Sequence, residues 1–213
     1  MTNRGPVAKL CAELGLAPSE GWSDYFDLVK AWAARTDLTS ARTDDELVEI
    51  LFLDAAYLVR SEWCPSGRSL VDVGAGVGAP TIPVLLSDPT CEGTLVEPRR
   101  IRTAFLRTAL GSLGLAGRAK ALEQKVDPEA PSVAGMPFAV ALSRATFPPD
   151  EWMCVGACLA EEVWVLTAGV EPKPPPDLQL VRRLDYHVPS SGAPRAVWAY
   201  RRAAALSADA WPE

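Results

Sequence analysis

Two kinds of periodicity divide the chain. Over residues 1–65 apolar side chains recur at helical steps, and Trp22, Phe26, Val29 and Ala33 fall on one face. Ser19 stands where an N-cap belongs, with a hydroxyl able to accept an amide of the first turn. Thr43-Asp-Asp-Glu46 has capping-box spacing, in which threonine and glutamate each satisfy the other's backbone amide. It opens a helix whose apolar positions include Leu47, Ile50, Leu51 and Leu58, and Cys64-Pro-Ser-Gly67 ends the region.

Beyond Gly67 short apolar runs alternate with helical stretches. Strands are predicted at Ser69–Val73, Gly93–Val96, Arg118–Glu123, Phe138–Leu142 and Glu162–Leu166. Between them lie a short helix ending at Leu86, a helix over Arg99–Leu113 with Ile101, Phe105, Ala109 and Leu113 on one side, and a helix near Asp150–Leu159. A proline-rich loop, Glu171–Asp177, precedes two late strands, Leu178–Leu184 and Ala196–Arg201. Such alternation predicts an α/β fold with a mostly parallel sheet and helices on both faces. The expected organisation is an N-terminal helical extension (1–65) packed on an α/β domain (66–204), followed by a disordered tail (205–213).

Composition narrows the class. The 213 residues, 48% hydrophobic and 23% charged, suit an ordinary soluble domain. No apolar run approaches the roughly 18 residues of a membrane span, and Met1–Leu10 lacks a signal-peptide pattern, so a cytoplasmic protein is expected. Five scattered cysteines (Cys11, Cys64, Cys91, Cys154, Cys158) and a single histidine, His187, offer no zinc set. They read as buried free thiols and a structural histidine, and no metal is expected. A net charge of −6 argues against nonspecific coating of nucleic acid. Yet Arg99, Arg100, Arg102, Arg107, Arg118, Lys120 and Lys125 face one acid, Glu123, which makes that segment +6. A solvated helix face is favoured over RNA contact as its reading.

The candidate chemistry lies in Leu70-Val-Asp-Val-Gly-Ala-Gly-Val-Gly-Ala-Pro80. A strand runs directly into Gly74, Gly76 and Gly78, where side chains would keep the backbone from closing around a bulky adenosyl ligand. About twenty residues on, Thr94-Leu-Val96 ends in Glu97, an acid placed to accept from ribose hydroxyls. Dinucleotide dehydrogenases share both features. In them, however, a helix N-terminus inside the glycine motif faces a pyrophosphate, whereas here Pro80 and Pro83 delay the helix. The loop also lacks lysine and arginine, so S-adenosylmethionine is favoured over a dinucleotide.

Several segments together resemble the bacterial glucose-inhibited division protein B methyltransferases, which convert a guanosine of small-subunit ribosomal RNA to 7-methylguanosine. They are Thr36-Asp-Leu-Thr-Ser40 with Arg42, Asp44-Asp-Glu-Leu47, Leu53-Asp54, Asp72–Pro80 with Ile82-Pro83, Leu95-Val-Glu-Pro98 leading to Phe105-Leu106, and Ser143-Arg144-Ala145. The resemblance spans roughly residues 20–170. It implies a Rossmann-like S-adenosylmethionine-dependent methyltransferase fold, with ribosomal RNA or the small ribosomal subunit as partner. It also implies cofactor contacts at Gly74, Ala79, Val126, Asp127 and Arg144.

This chain departs from the family pattern in places. A histidine before Leu-Asp is replaced within Ile50–Phe52, a glycine is Thr81, an acid is Ala139, and a Lys-Gly pair reads Thr167-Ala-Gly169. The alternatives left open are a methyltransferase acting on another RNA or a small molecule, and a non-catalytic cofactor-binding relative. Arg144 is the candidate catalytic residue: past the fourth strand, its guanidinium could hold an RNA phosphate or a base carbonyl. The competing role is an ion pair closing the sheet edge.

Overall fold

The computed structural model describes residues 5–17, 19–63 and 67–203. Three helices come first: α1 (Gly5–Glu13), α2 (Glu20–Ala33) and α3 (Asp44–Arg60). The α/β part follows as β1 (Ser69–Val73), α4 (Thr81–Ser87), β2 (Glu92–Glu97), α5 (Arg100–Ser112), β3 (Ala119–Glu123), β4 (Phe138–Ser143), α6 (Pro149–Leu159), β5 (Ala160–Thr167), β6 (Leu178–His187) and β7 (Pro194–Arg202). Both predicted caps form. The Ser19 hydroxyl accepts the Trp22 amide at 3.3 Å, and the Thr43 hydroxyl accepts the Glu46 amide at 3.2 Å. Glu46 reaches back one residue further than a capping box requires, to the amide of Arg42.

The seven strands lie in the order β3-β2-β1-β4-β5-β7-β6. From β3 to β5 every pairing is parallel, and β7 runs antiparallel between β5 and β6. The chain starts in the middle at β1, moves outward to β3, then crosses to β4 on the other side of β1. This reversal makes β1 and β4 the switch point, where a crevice opens at the strands' C-terminal ends.

Alternate strand residues feed two cores. On one face Leu70, Leu95, Val140, Leu142 and Trp164 pack under all of α1 to α5. On the other, Val71, Val73, Ala141, Val163 and Trp198 pack under α6 and the loop residues Val126 and Val133. Among the described residues helices cover both faces, but five lie on one and a single helix on the other.

Two packing expectations are corrected. Ile101 is 58% exposed, because the apolar stripe of α5 is Phe105, Leu106, Ala109 and Leu110 and its first turn projects beyond it. Cys154 and Cys158 are exposed, since α6 buries Trp152, Met153, Val155, Gly156 and Leu159 and the two thiols fall on the opposite side. Cys11 and Cys91 are buried. Cys64 and the predicted 205–213 tail lie outside the described residues.

Candidate active site

The crevice begins where β1 gives way to the glycine loop. The amides of Gly74 and Ala75 both donate to the Val96 carbonyl, which ties the loop to the end of β2. Gly74 has φ +77°, and a Cβ there would stand 1.9 Å from the Thr146 hydroxyl oxygen, so only glycine lets the β4–α6 loop lie this close. Gly76 has φ +59°, and a Cβ on it would meet nothing nearer than the Gly74 carbonyl at 3.9 Å. Its α-carbon therefore faces open space, the clearance that a flat ligand over the loop needs. Gly78 serves packing, because a Cβ there would collide with Ile82 of α4. Ala79 is buried behind the loop.

Glu97 is 3% exposed rather than a solvated strand end. One carboxylate oxygen accepts from the Gly76 amide at 3.0 Å and the other from the Arg99 amide at 2.8 Å. Each oxygen retains a second lone pair, so this clip on the loop leaves acceptor capacity for a ligand hydroxyl.

Helix α2 braces the loop from behind. The Tyr25 hydroxyl donates to the Val77 carbonyl at 2.6 Å, and Trp22 Nε1 donates to the Pro83 carbonyl at 3.0 Å. Both aromatics pack on Phe52 of α3. Under the loop, buried Asp72 accepts from the Thr81 hydroxyl at 2.7 Å. Burial raises its carboxyl pKa to about 7, opposed by that hydrogen bond and the Arg144 charge and supported by the charge of Glu97.

Past β3, Val126 belongs to the second core, while Asp127 is exposed and its carboxylate accepts the Glu129 amide. Three of the seven cations between Arg99 and Lys125 hold carbonyls. Arg118 donates to those of Leu85, Asp88 and Cys91, Arg107 to that of Ala121, and Lys120 to that of Ala134.

On the other side of the switch point, Arg144 opens onto a cavity of about 890 Å³. Its walls include Ile50 and Asp54 from α3, Phe147, Leu166 and Tyr186, with Lys173 contributed by the proline-rich loop. The glycine loop and Glu97 are not part of its lining. Arg144 Nη1 donates to Asp54 Oδ2 at 3.0 Å and to the Ile50 carbonyl at 2.8 Å, and 30% of its side chain remains exposed. Arg144 thus makes the ion pair considered for it, and part of its side chain remains exposed beside the cavity. Spacing gave no sign of Asp54, Tyr186 or Tyr25 as site residues, although Leu53-Asp54 lies in a recognised segment.

Among the described residues no three His, Cys, Asp or Glu side chains gather as a metal site, and no helix is long and apolar enough to cross a membrane. His187 is exposed at the end of β6.

The comparisons with known proteins agree with the fold. A family model described as rRNA small subunit methyltransferase G matches residues 19–161. The chain is 30% identical over 178 residues to ribosomal RNA small subunit methyltransferase G of Myxococcus xanthus, covering 78% of this chain and 80% of that protein. The protein of the same name from Nitrosomonas europaea is 37% identical over 111 residues, 48% of this chain and 50% of that one. Among solved structures, a SAM-dependent methyltransferase from Thiobacillus denitrificans in complex with S-adenosyl-L-homocysteine superposes with a TM-score of 0.55 at 11% identity. That superposition covers 72% of this chain and 92% of the other.

Proposed function

The chain belongs to the rRNA small subunit methyltransferase G family and is an S-adenosylmethionine-dependent methyltransferase; from this premise we propose that it methylates N7 of a guanine in small-subunit ribosomal RNA. The observation that carries the reading is the juxtaposition of two sites at one switch point, an open glycine loop after β1 and a cavity beside Arg144 after β4. The residues fit the cofactor. Gly76 offers the open floor, Gly74, Gly78 and Ala79 hold the loop that carries it, Glu97 takes the ribose, and Asp127, next to buried Val126, and Arg144 are the proposed contacts on either side.

The bound cofactor supplies an electrophilic methyl group. N7 of guanine has a free lone pair, so no side chain has to remove a proton before attack, and the protein's task is to position the base. The acceptor base enters the cavity, where the exposed edge of Arg144 donates to a carbonyl oxygen or a phosphate. A ribosomal RNA substrate fits a cytoplasmic protein.

The test of function is radiolabelled methyl transfer to small ribosomal subunits from a strain lacking its own enzyme. Label at a guanine N7 is the expected result, and its absence from the RNA would remove this substrate. Cofactor choice is tested separately by calorimetry, in which S-adenosylhomocysteine should bind and NADH should not. Tight NADH binding without an S-adenosylhomocysteine signal would defeat the methyltransferase reading of the loop.

Glu97→Ala should weaken S-adenosylhomocysteine binding by about 1–3 kcal/mol, the scale of lost hydrogen bonds to a charged acceptor. It should also lower the thermal midpoint, because the Gly76 and Arg99 amides lose their acceptor. Wild-type affinity with a lowered midpoint would leave Glu97 as a clip on the loop alone.

A further inference from the structure

We infer that Tyr186 is a positioning residue for methyl transfer, holding the Arg144 guanidinium at the acceptor cavity through Asp54. The inference rests on the reading of that cavity given above, and it concerns a residue outside the segment 19–161 that the family model matches. Asp54 is 8% exposed and divides its carboxylate between two donors. Oδ1 accepts from the Tyr186 hydroxyl at 2.6 Å, and Oδ2 accepts from Arg144 Nη1 at 3.0 Å. Three elements distant in sequence, α3, the end of β4 and the end of β6, thereby meet on one carboxyl group.

Each bond in this chain removes a freedom from the next. Tyr186 is itself fixed: it is 4% exposed and its ring stacks on Tyr57 with centroids 4.4 Å apart. Its hydroxyl on Oδ1 stops the Asp54 carboxylate from turning about its terminal torsion, which is otherwise soft. The fixed Oδ2 and the Ile50 carbonyl then use both hydrogens of Arg144 Nη1. A planar guanidinium pinned at one nitrogen by two acceptors is oriented as a whole, and Nη2 and Nε are not used by these two bonds.

Orientation matters for the proposed chemistry. A guanidinium free to swing could take O6 and N7 of guanine together, the usual two-pronged contact, and so cover the lone pair that must attack. Commitment of Nη1 to Asp54 and Ile50 removes every two-pronged contact that uses Nη1 and presents the Nη2–Nε edge to the acceptor in one orientation.

A merely structural role would have the same three residues lock β6 to α3. Tyr186→Phe separates the two roles, because it keeps the ring on Tyr57 and removes only the hydroxyl. We expect kcat for small-subunit methylation to fall about tenfold, a change of about 1.4 kcal/mol in the barrier. The S-adenosylhomocysteine Kd should stay within about twofold, a change under 0.5 kcal/mol. Added to Arg144→Lys, the substitution should cost little more, since the group it orients is already gone. An unchanged kcat overturns the proposal. A second measurement needs no RNA: the ¹⁵N relaxation of the Arg144 Nε–H group. It should be rigid in the wild type and mobile in Tyr186→Phe. If the wild-type protein methylates no RNA, the acceptor reading fails by itself, and an Arg144 side chain equally rigid in both proteins then overturns the relay.

Discussion

A chain that starts at residue 61 should yield no cooperatively folded protein. Helices α1 to α3 supply much of the larger core, including Val7, Leu10, Trp22, Tyr25, Phe26, Val29, Leu51 and Phe52, all buried. Their removal uncovers the apolar side chains of α4 on which α2 and α3 pack and those of α5 on which α2 packs, among them Phe105 beneath Trp32. Burial of such a side chain contributes about 1.5–3 kcal/mol. Exposing four of them costs about 6–12 kcal/mol, as much as the entire stability of about 5–15 kcal/mol typical of a domain. Polar losses add to this. The carbonyls of Val77 and Pro83 lose the donors on Tyr25 and Trp22, and Arg144 loses both of its acceptors on α3. Far-ultraviolet dichroism with no sigmoidal urea transition, or an insoluble product, is the expected outcome. A soluble truncated chain with a single sharp transition and wild-type S-adenosylhomocysteine affinity would show that the helices are a detachable module.

The parallel part of the sheet was legible because buried strands read as unbroken apolar runs between turn residues. Ser69–Val73 is found as expected, and β2, β3 and β4 differ by a residue at one end or both. The edge of the sheet was less legible. Strand β6 continues past Leu184 to His187, but Arg182, Arg183 and Asp185 break the alternation, and its register against β7 shifts between Leu180 and Arg182. Capping signals are local, so Ser19 and Thr43 could be read directly.

The site divides along the same line. Gly74, Gly76, Gly78 and Glu97 are marked by spacing from a strand end, a property of adjacent sequence, and Arg144 by the resemblance of Ser143-Arg144-Ala145 to the family. Tyr25, Asp54 and Tyr186 act over 52, 90 and 132 residues of separation, and no local pattern announces such a pairing. Glu97 was placed by its spacing, yet its burial depends on the loop that folds over it. Sequence also gave Thr81 only as a departure from the family pattern; in the fold its hydroxyl becomes the partner of buried Asp72.

Arg144→Ala should reduce methyl transfer far more than it reduces cofactor binding. Loss of a charged contact that strengthens in the transition state costs about 2–4 kcal/mol, or roughly two to three powers of ten in rate. The structure adds a second consequence. Asp54 would be left buried with the Tyr186 hydroxyl but without its counter-charge, and breaking one side of such a pair is destabilising. The thermal midpoint should therefore fall as well, and the two effects have to be separated. Asp54→Asn in the Arg144→Ala background removes the stranded charge while keeping its shape. It should restore much of the midpoint and none of the rate. Arg144→Lys keeps a positive charge near Asp54, but an ammonium cannot bond a carboxylate, a carbonyl and an acceptor in one plane, so it should recover stability more than activity. Single-turnover rates at saturating cofactor, set beside calorimetric S-adenosylhomocysteine affinities, read the two quantities independently. Equal losses of rate and affinity would assign Arg144 to the cofactor alone. A rate that returns together with the midpoint in the double variant would make it an ion pair that closes the crevice and nothing more.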